Sequence, residues 1–229
     1  MNSPTKLARR LKVPGRVVDV QTAAAPSGRV RTLTLKGTRG QVSLSGYDVR
    51  QTLGLRSSWF RIAMLSLSGP AAPVAYGTRT SLAGVAKGAT RVQLQALVYG
   101  ETSWRTVGSL KPRGGRVTPV VRPRIATSYR IVADGVSSAA ITVAVAPTLR
   151  LQARVDRTGF LGTVRPAGES VVQIQRQAGS AWRTVATAEQ NQRGGFNAVY
   201  ALVPGTYRAV VPAGGGFVTG VSPVIQVAA

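Results

Sequence analysis

An internal repeat in the later part of the chain limits the fold more than any other feature. Four short segments recur in the same order, and a Trp precedes a Tyr by 25 residues in both copies. The paired segments are VQLQ (92–95) with VQIQ (172–175), WRTV (104–107) with WRTV (182–185), GG (114–115) with GG (194–195), and TSYR (127–130) with GTYR (205–208). Each copy spans about 70–80 residues and ends in an alternating apolar strand, which predicts two homologous domains of the size of a small β-sandwich.

The composition favours a mainly β chain. The 26 Gly and 13 Pro are combined with few long apolar helical runs, and 44% of the residues are hydrophobic, enough for real cores. The predicted divisions are an N-terminal piece at 1–68, a linker at 69–76, and two sandwiches at 77–147 and 148–229. The sandwiches resemble the immunoglobulin-like or fibronectin-type-III-like tandem modules of bacterial surface proteins. The predicted fold class is therefore mainly β, with a small α+β N-terminal piece followed by two tandem Ig-like β-sandwiches.

The N-terminal piece has the local signals of two helices and four strands. A short helix with one apolar face is predicted at 4–12. Ser45 and Asp48 have the spacing of a capping box for a second helix, and Gly54 provides its left-handed end. Strands are predicted at 16–22, at 29–36, at 41–44, and in a closing segment with Trp59, Phe60 and Ile62.

A distinctive combination of short motifs lies within residues 27–60. The motifs are SGRV (27–30), Gly37, SG (45–46), Arg50, LGLRSS (53–58) and WF (59–60). With the order of the predicted elements, they resemble the C-terminal end of the SpoIID/LytB domain, the stage II sporulation protein D or amidase-enhancer family. The resemblance covers about 65 residues at the start of the chain.

This resemblance implies a bacterial cell-wall setting with peptidoglycan glycan strands as the substrate class. Members of the family are either lytic transglycosylases or enhancers of wall amidases. The implied partners are peptidoglycan or an anionic wall polymer and, for an enhancer, a wall amidase. The family's catalytic glutamate lies upstream of the matched part, so the resemblance assigns no catalytic residue here. The first residues lack the apolar core of a signal peptide. An extracellular or cell-wall location is therefore expected if an upstream part carries the signal, and is otherwise open.

Missing residue types exclude several chemistries. The chain has no Cys and no His, which excludes disulfides, thiolate metal sites and Ser-His-Asp or Cys-His catalytic arrangements within it. The seven carboxylates lie apart, beside predicted turns or caps: Asp19, Asp48, Glu101, Asp134, Asp156, Glu169 and Glu189. Glycan cleavage commonly needs a pair of carboxylates. The chain alone is therefore not expected to be catalytic, and no catalytic, cofactor-binding or metal-binding residue is assigned.

The net charge of +23 comes from 30 basic and 7 acidic residues. The excess is +10 in residues 1–68, +8 in 69–147 and +5 in 148–229, so it is spread over the whole chain. Such a charge attracts polyanions in general. A GC-rich coding bias would account for the preference for Arg over Lys, but it does not account for the scarcity of Asp and Glu.

Two basic clusters are the candidate polyanion or glycan sites. They are Lys111, Arg113, Arg116, Arg122 and Arg124, and, near the start, Arg9, Arg10, Lys12 and Arg16. Arg can form bidentate contacts with phosphate or carboxylate, and the alternative is a charged edge that discourages strand aggregation. Neither cluster is interleaved with aromatic residues, as single-stranded nucleic-acid binders require.

The repeated Trp104 and Trp182 have two interpretations. Aromatic faces suit pyranose rings, so each could be a platform for a sugar. The identical spacing to Tyr129 and Tyr207 instead favours an inward-facing Trp in each sandwich core.

Three functional hypotheses follow. The first is a non-catalytic, cell-wall-associated portion of a SpoIID/LytB-like lytic transglycosylase or amidase enhancer, which binds anionic wall polymer or glycan. The second is an independent structural or adhesion protein of the cell surface. The third is nonspecific, charge-driven nucleic-acid binding. No apolar run approaches the roughly 18 residues that a membrane span needs.

Overall fold

The protein is mainly β, with a small α+β unit followed by two β-sandwiches, which confirms the predicted fold class. The computed structural model describes residues 4–15, 17–60, 62 and 64–228. Residues 4–62 are called the N-terminal unit, 64–146 module 1 and 148–228 module 2.

The N-terminal unit folds a three-stranded antiparallel sheet against two helices. Its elements are α1 (Pro4–Arg10), β1 (Val17–Ala24), β2 (Val30–Gly37), β3 (Gly40–Ser45) and α2 (Gly46–Leu53), with strand order β1-β2-β3. Leu33 and Leu35 alternate on the buried face of β2, in one core with Val49 of α2. The capping box of Ser45 and its partner three residues later is present, and the helix ends at a left-handed Gly54, as predicted.

The predicted closing strand is wrong. Residues 59, 60 and 62 have no strand pairing, and Trp59 is 64% exposed. Phe60 and Ile62 nevertheless pack against the core of the N-terminal unit. The next strand, β4 (Met64–Ser68), pairs with a strand of module 1, because Leu67 points into the core of that module.

Module 1 is a sandwich of two main sheets. After β4 its strands are β5 (Val74–Ala75), β6 (Thr80–Ser81), β7 (Ala83–Lys87), β8 (Val92–Val98), β9 (Arg105–Leu110), β10 (Arg116–Val117), β11 (Val120–Val121), β12 (Thr127–Ala133), β13 (Val136–Ser137), β14 (Ile141–Val143) and β15 (Val145–Ala146). One sheet has the order β10-β7-β4, and the other has β13-β12-β8-β9 with β14 also on β12.

The predicted linker at 69–76 is partly inside this sandwich. Strand β5 pairs in parallel with β15, and Val74 is buried in the module 1 core. Together with β4, this pairing moves the start of module 1 from 77 to 64. The Gly-Pro-Ala-Ala-Pro composition that suggested a linker at 69–73 instead forms a short connection between two strands of one module.

Module 2 repeats the strand order of module 1. Its strands are β16 (Thr148–Ala153), β17 (Gly159–Arg165), β18 (Val172–Ala178), β19 (Ala181–Ala188), β20 (Gly195–Val199), β21 (Gly205–Val211), β22 (Gly220–Val221) and β23 (Ile225–Val227). The sheets are β16-β17-β20 and β19-β18-β21-β22, with β23 also on β21. Both modules even share a bulge at the same repeat position, after Leu94 and after Ile174. The sequence repeat is thus a repeat of one Ig-like sandwich.

The two modules contact each other closely at their junction. Strand β15 ends at Ala146 and β16 begins at Thr148, so one residue separates them. The loop between β21 and β22, residues 212–219, reaches back to module 1. There the Gly216 carbonyl accepts a hydrogen bond from the Ala126 N–H at 3.0 Å, and the Tyr76 and Phe217 rings lie 6.3 Å apart.

Candidate anion-binding surfaces

Most of the positive charge is not neutralised within the chain, since seven carboxylates cannot pair with thirty basic side chains. In the described part of the chain the ion pairs are Lys87–Asp19, Arg105–Glu101 and Arg154–Asp156. The first pair joins module 1 to the N-terminal unit, and its hydrogen bond holds the pKa of the Asp19 carboxyl below its ordinary value.

The larger predicted basic cluster is divided between the two ends of module 1. Arg113 and Arg116 form the two sides of a tight bridge, with Lys111 just before it. Arg122 instead donates from Nε to the Gly77 carbonyl at 2.6 Å, and Arg124 precedes the junction with module 2. An extended chain advances about 3.3 Å per residue, so the two groups lie up to roughly 25 Å apart. A small anion could therefore contact only one of the two groups at a time, whereas a linear polyanion could reach both, and binding at these five residues stays a prediction.

The smaller predicted cluster has mixed roles. Arg9 and Lys12 are exposed and available to a ligand. Arg10 donates from Nη2 to the Thr52 carbonyl near the end of α2, so it holds the two helices together. Arg16 lies outside the described residues. Since Arg10 has a structural partner, this surface has fewer basic groups available than the sequence suggested.

The prediction that Trp104 and Trp182 are core residues is wrong. Both indoles are half-buried and lie outside the two sandwich cores. Side chains along β12 and β21 alternate between the two faces of the sheet. Tyr129 and Tyr207 point inward and are buried, so the Arg that follows each Tyr points outward, and the indole packs on that Arg.

Each module therefore has a solvent-facing group of one Trp, one Arg and one Gln, here called the Trp–Arg–Gln cluster. In module 1 the Arg130 guanidinium carbon lies 4.2 Å from the Trp104 ring centroid, and Arg130 Nε donates to Gln95 Oε1 at 2.9 Å. Module 2 repeats this arrangement at 4.1 Å and 2.9 Å with Trp182, Arg208 and Gln175.

The sequence did contain a signal for this cluster. Gln95, Gln175, Arg130 and Arg208 all lie inside the repeated segments, at the polar positions of alternating strands. These residues were missed because the repeated segments served only to count domains. The alternation of inward-facing and outward-facing positions along each strand would have placed them on the solvent-facing side of the sheet.

Several acidic side chains of the described residues have structural partners. Both Asp48 and Ser45 are occupied in the helix cap. One Glu101 oxygen pairs with Arg105 at 2.8 Å. In the part of the chain that the structure covers, no group of three or more potential ligands is placed to hold a metal ion. Within the same residues, no helix is long and apolar enough to cross a membrane.

Comparisons with known proteins show similarity at the level of solved structures. No family model and no curated protein matches the chain. The human OSCAR ligand-binding domain is similar over 71% of this chain and 97% of its own, at 18% identity and a TM-score of 0.29. A titin fragment is similar over 72% and 97%, at 12% identity and a TM-score of 0.31.

A third similar structure is the BSP domain of a biofilm-associated protein. This match covers 98% of this chain and 46% of that one, at 14% identity and a TM-score of 0.28. At these identities and TM-scores the likenesses carry no argument about function. The assignment of Ig-like sandwiches rests on the strand order of the two modules.

Proposed function

We propose that this chain is a non-catalytic binding and spacer part of a cell-wall-associated protein, and that it binds an anionic wall polymer. The observation that supports the proposal is the uncompensated charge of +23, which is spread over the N-terminal unit and both modules. A linear polyanion lying along such a chain meets basic side chains in every unit. Binding of this kind consists of many weak Arg contacts and weakens as salt screens them.

The family part of the proposal rests on the motifs in residues 27–60. If the chain belongs with a SpoIID/LytB-like protein, its role is to hold that protein on the wall while the glycan strand or a wall amidase is engaged elsewhere. Sequencing the source DNA upstream of the Met1 codon tests this. An in-frame region with a signal peptide and an acidic catalytic candidate supports this role. A stop codon and a ribosome-binding site directly before Met1 contradict the role, and the resemblance would then describe ancestry and not activity.

Sedimentation with purified wall sacculi tests the binding. The chain is expected to sediment with sacculi at low salt and to be released progressively as salt rises. Sacculi stripped of their anionic polymer are the control and should retain much less protein. If DNA displaces the chain and intact sacculi fail to retain it at moderate salt, charge-driven nucleic-acid binding replaces the wall proposal.

An adhesion protein is the second candidate function. The observation that favours it is the close contact between the two Ig-like modules, which suits a stiff surface-exposed spacer. Retention on sacculi that survives high salt points to specific, mainly uncharged contacts and so to this alternative.

A further inference from the structure

The Trp–Arg–Gln cluster is present twice, on the solvent-facing side of the five-stranded sheet of each module. The two copies have diverged at neighbouring positions of the same face, where Leu97 corresponds to Gln177 and Thr142 to Gln226. Both copies nevertheless retain the Trp, the Arg and the Gln with nearly the same geometry. This surface is distinct from the basic clusters that the sequence predicted.

The cluster offers hydrogen-bond donors to a ligand. Arg has five N–H donors and no acceptor, and among the described residues Arg130 and Arg208 donate side-chain hydrogen bonds from Nε alone. The Nη groups of both side chains therefore remain available. The Oε1 of each Gln already accepts from its Arg, which leaves the Nε2 amide as a further donor. A surface of this kind selects ligand atoms that accept, such as carboxylate oxygens.

The indole fixes where such a ligand can lie. The contact with Trp104 holds the Arg130 guanidinium carbon 4.2 Å from the indole centroid, so the Nη groups are pre-oriented and lose little freedom on binding. The half-exposed indole also leaves apolar surface available to the C–H groups of a sugar ring. Because indole and guanidinium are in contact, an acidic sugar that lies beside the pair can touch the exposed edge of the indole and direct its carboxylate to the Nη donors.

We propose that the Trp–Arg–Gln clusters of modules 1 and 2 are two equivalent binding sites for hexuronic-acid residues of an anionic polysaccharide. The proposal deepens the proposed function and rests on it, since the dispersed positive charge brings the polymer to the surface and the clusters then bind its sugars. Two sites on one chain add avidity towards a repeating polymer, without any contact between the sites.

The test compares two double variants of equal charge. In Arg130→Lys with Arg208→Lys, each side chain keeps its positive charge but loses the planar, stacked donor group. The matched control is Arg150→Lys with Arg165→Lys, two exposed positions on the other sheet of module 2. Binding of polygalacturonate is measured by calorimetry at physiological ionic strength. The cluster variant should bind at least about tenfold more weakly than wild type, because hydrogen bonds to a charged group are lost, and the control should not change.

Polyphosphate and duplex DNA are the comparison probes, since they carry negative charge without a hexuronate ring. Wild type is expected to prefer polygalacturonate, and the cluster variant should lose that preference while it still binds polyphosphate. Equal affinity of wild type and cluster variant for polygalacturonate overturns the proposal, as does a loss confined to DNA. Failure of the wild type to bind any polyanion, even at low salt, instead removes the proposed function.

A fluorescence measurement keeps the test independent of how well the variants fold. With Trp59→Phe, at an exposed position, the remaining indoles are Trp104 and Trp182. Polygalacturonate should then change their emission in a saturable manner, and neutral dextran should not. No change in emission at saturating polygalacturonate contradicts sugar binding at the clusters.

Discussion

Two buried serine hydroxyls accept hydrogen bonds from backbone N–H groups inside the sandwiches. Ser138 and Ser222 are each 5% exposed, and their hydroxyl oxygens accept hydrogen bonds from the N–H groups of Ile131 and Ala209. Ser138→Ala should lower the free energy of unfolding by about 1–3 kcal/mol, because it leaves a buried N–H without its acceptor. Urea unfolding measures this loss. The adjacent, exposed Ser137 is the matched control, and an equal effect of Ser137→Ala would contradict the explanation.

The ion pair between Asp19 and Lys87 also contributes to the free energy of unfolding, and this contribution depends on pH. The hydrogen bond from Lys87 lowers the Asp19 pKa in the folded state. The contribution is therefore present above the unfolded-state pKa, near pH 4, and is lost as the pH falls through the lower folded-state value. An NMR titration should find the Asp19 carboxyl pKa below its ordinary value in wild type and close to that value in Lys87→Met. An unchanged pKa in that variant would show that the ion pair does not form in solution.

At the scale of elements, the segment after α1 packs directly onto the end of β2. A Cβ placed on Gly37 would lie 1.9 Å from the Pro14 carbonyl oxygen, which is backbone and cannot rotate away. Gly37→Ala should destabilise the N-terminal unit by about 1–3 kcal/mol or more, since such overpacking forces backbone shifts. Thermal unfolding followed by circular dichroism measures this effect. Gly108→Ala, where a Cβ meets nothing within 4 Å, should change stability far less.

The elements also show what a sequence can predict. Strands β1 to β3 and the caps of α2 were predictable, because alternation and Ser45–Asp48 spacing are local signals. The pairing of β4 was not predictable, since the alternation of a segment does not reveal which sheet the strand joins. The division of the five-residue basic cluster into two groups was also not predictable, because residues close in sequence lie far apart along an extended strand. The prediction that Trp104 faces the core was wrong because equal spacing shows that a repeat exists, but it does not show which face of the sheet a residue occupies.

At the scale of the whole molecule, Gly216 controls how the modules meet. Its φ is +80°, and a Cβ there would lie 2.6 Å from the Tyr99 ring and 2.8 Å from Ile125. Gly216→Ala should therefore separate the modules and broaden the distances between them. Gly215, with φ +55° and nothing within 4 Å of its Cβ, is the control with similar backbone strain but no clash.

Spin labels measure this effect without interference, since the chain has no cysteine. With Cys introduced at the exposed positions Ser137 and Ser180, pulsed dipolar spectroscopy should give a narrow distance distribution in wild type and in Gly215→Ala. Gly216→Ala should give a broad one. A narrow distribution in Gly216→Ala would mean that the 212–219 loop does not hold the modules together.

The parallel pairing of β5 with β15 has a mechanical consequence. The chain enters module 1 through β4, continues into β5 and leaves through β15. Once tension has drawn β4 away from β7, it pulls β5 and β15 along their own axes in opposite directions. Their hydrogen bonds, from the Val74 N–H to the Ala144 carbonyl and from the Tyr76 N–H to the Ala146 carbonyl, are then loaded together in shear. Bonds loaded in this way break as a group and not one after another. A protein held between an anchored end and a moving one would resist extension at this pairing before the rest of the sandwich opened.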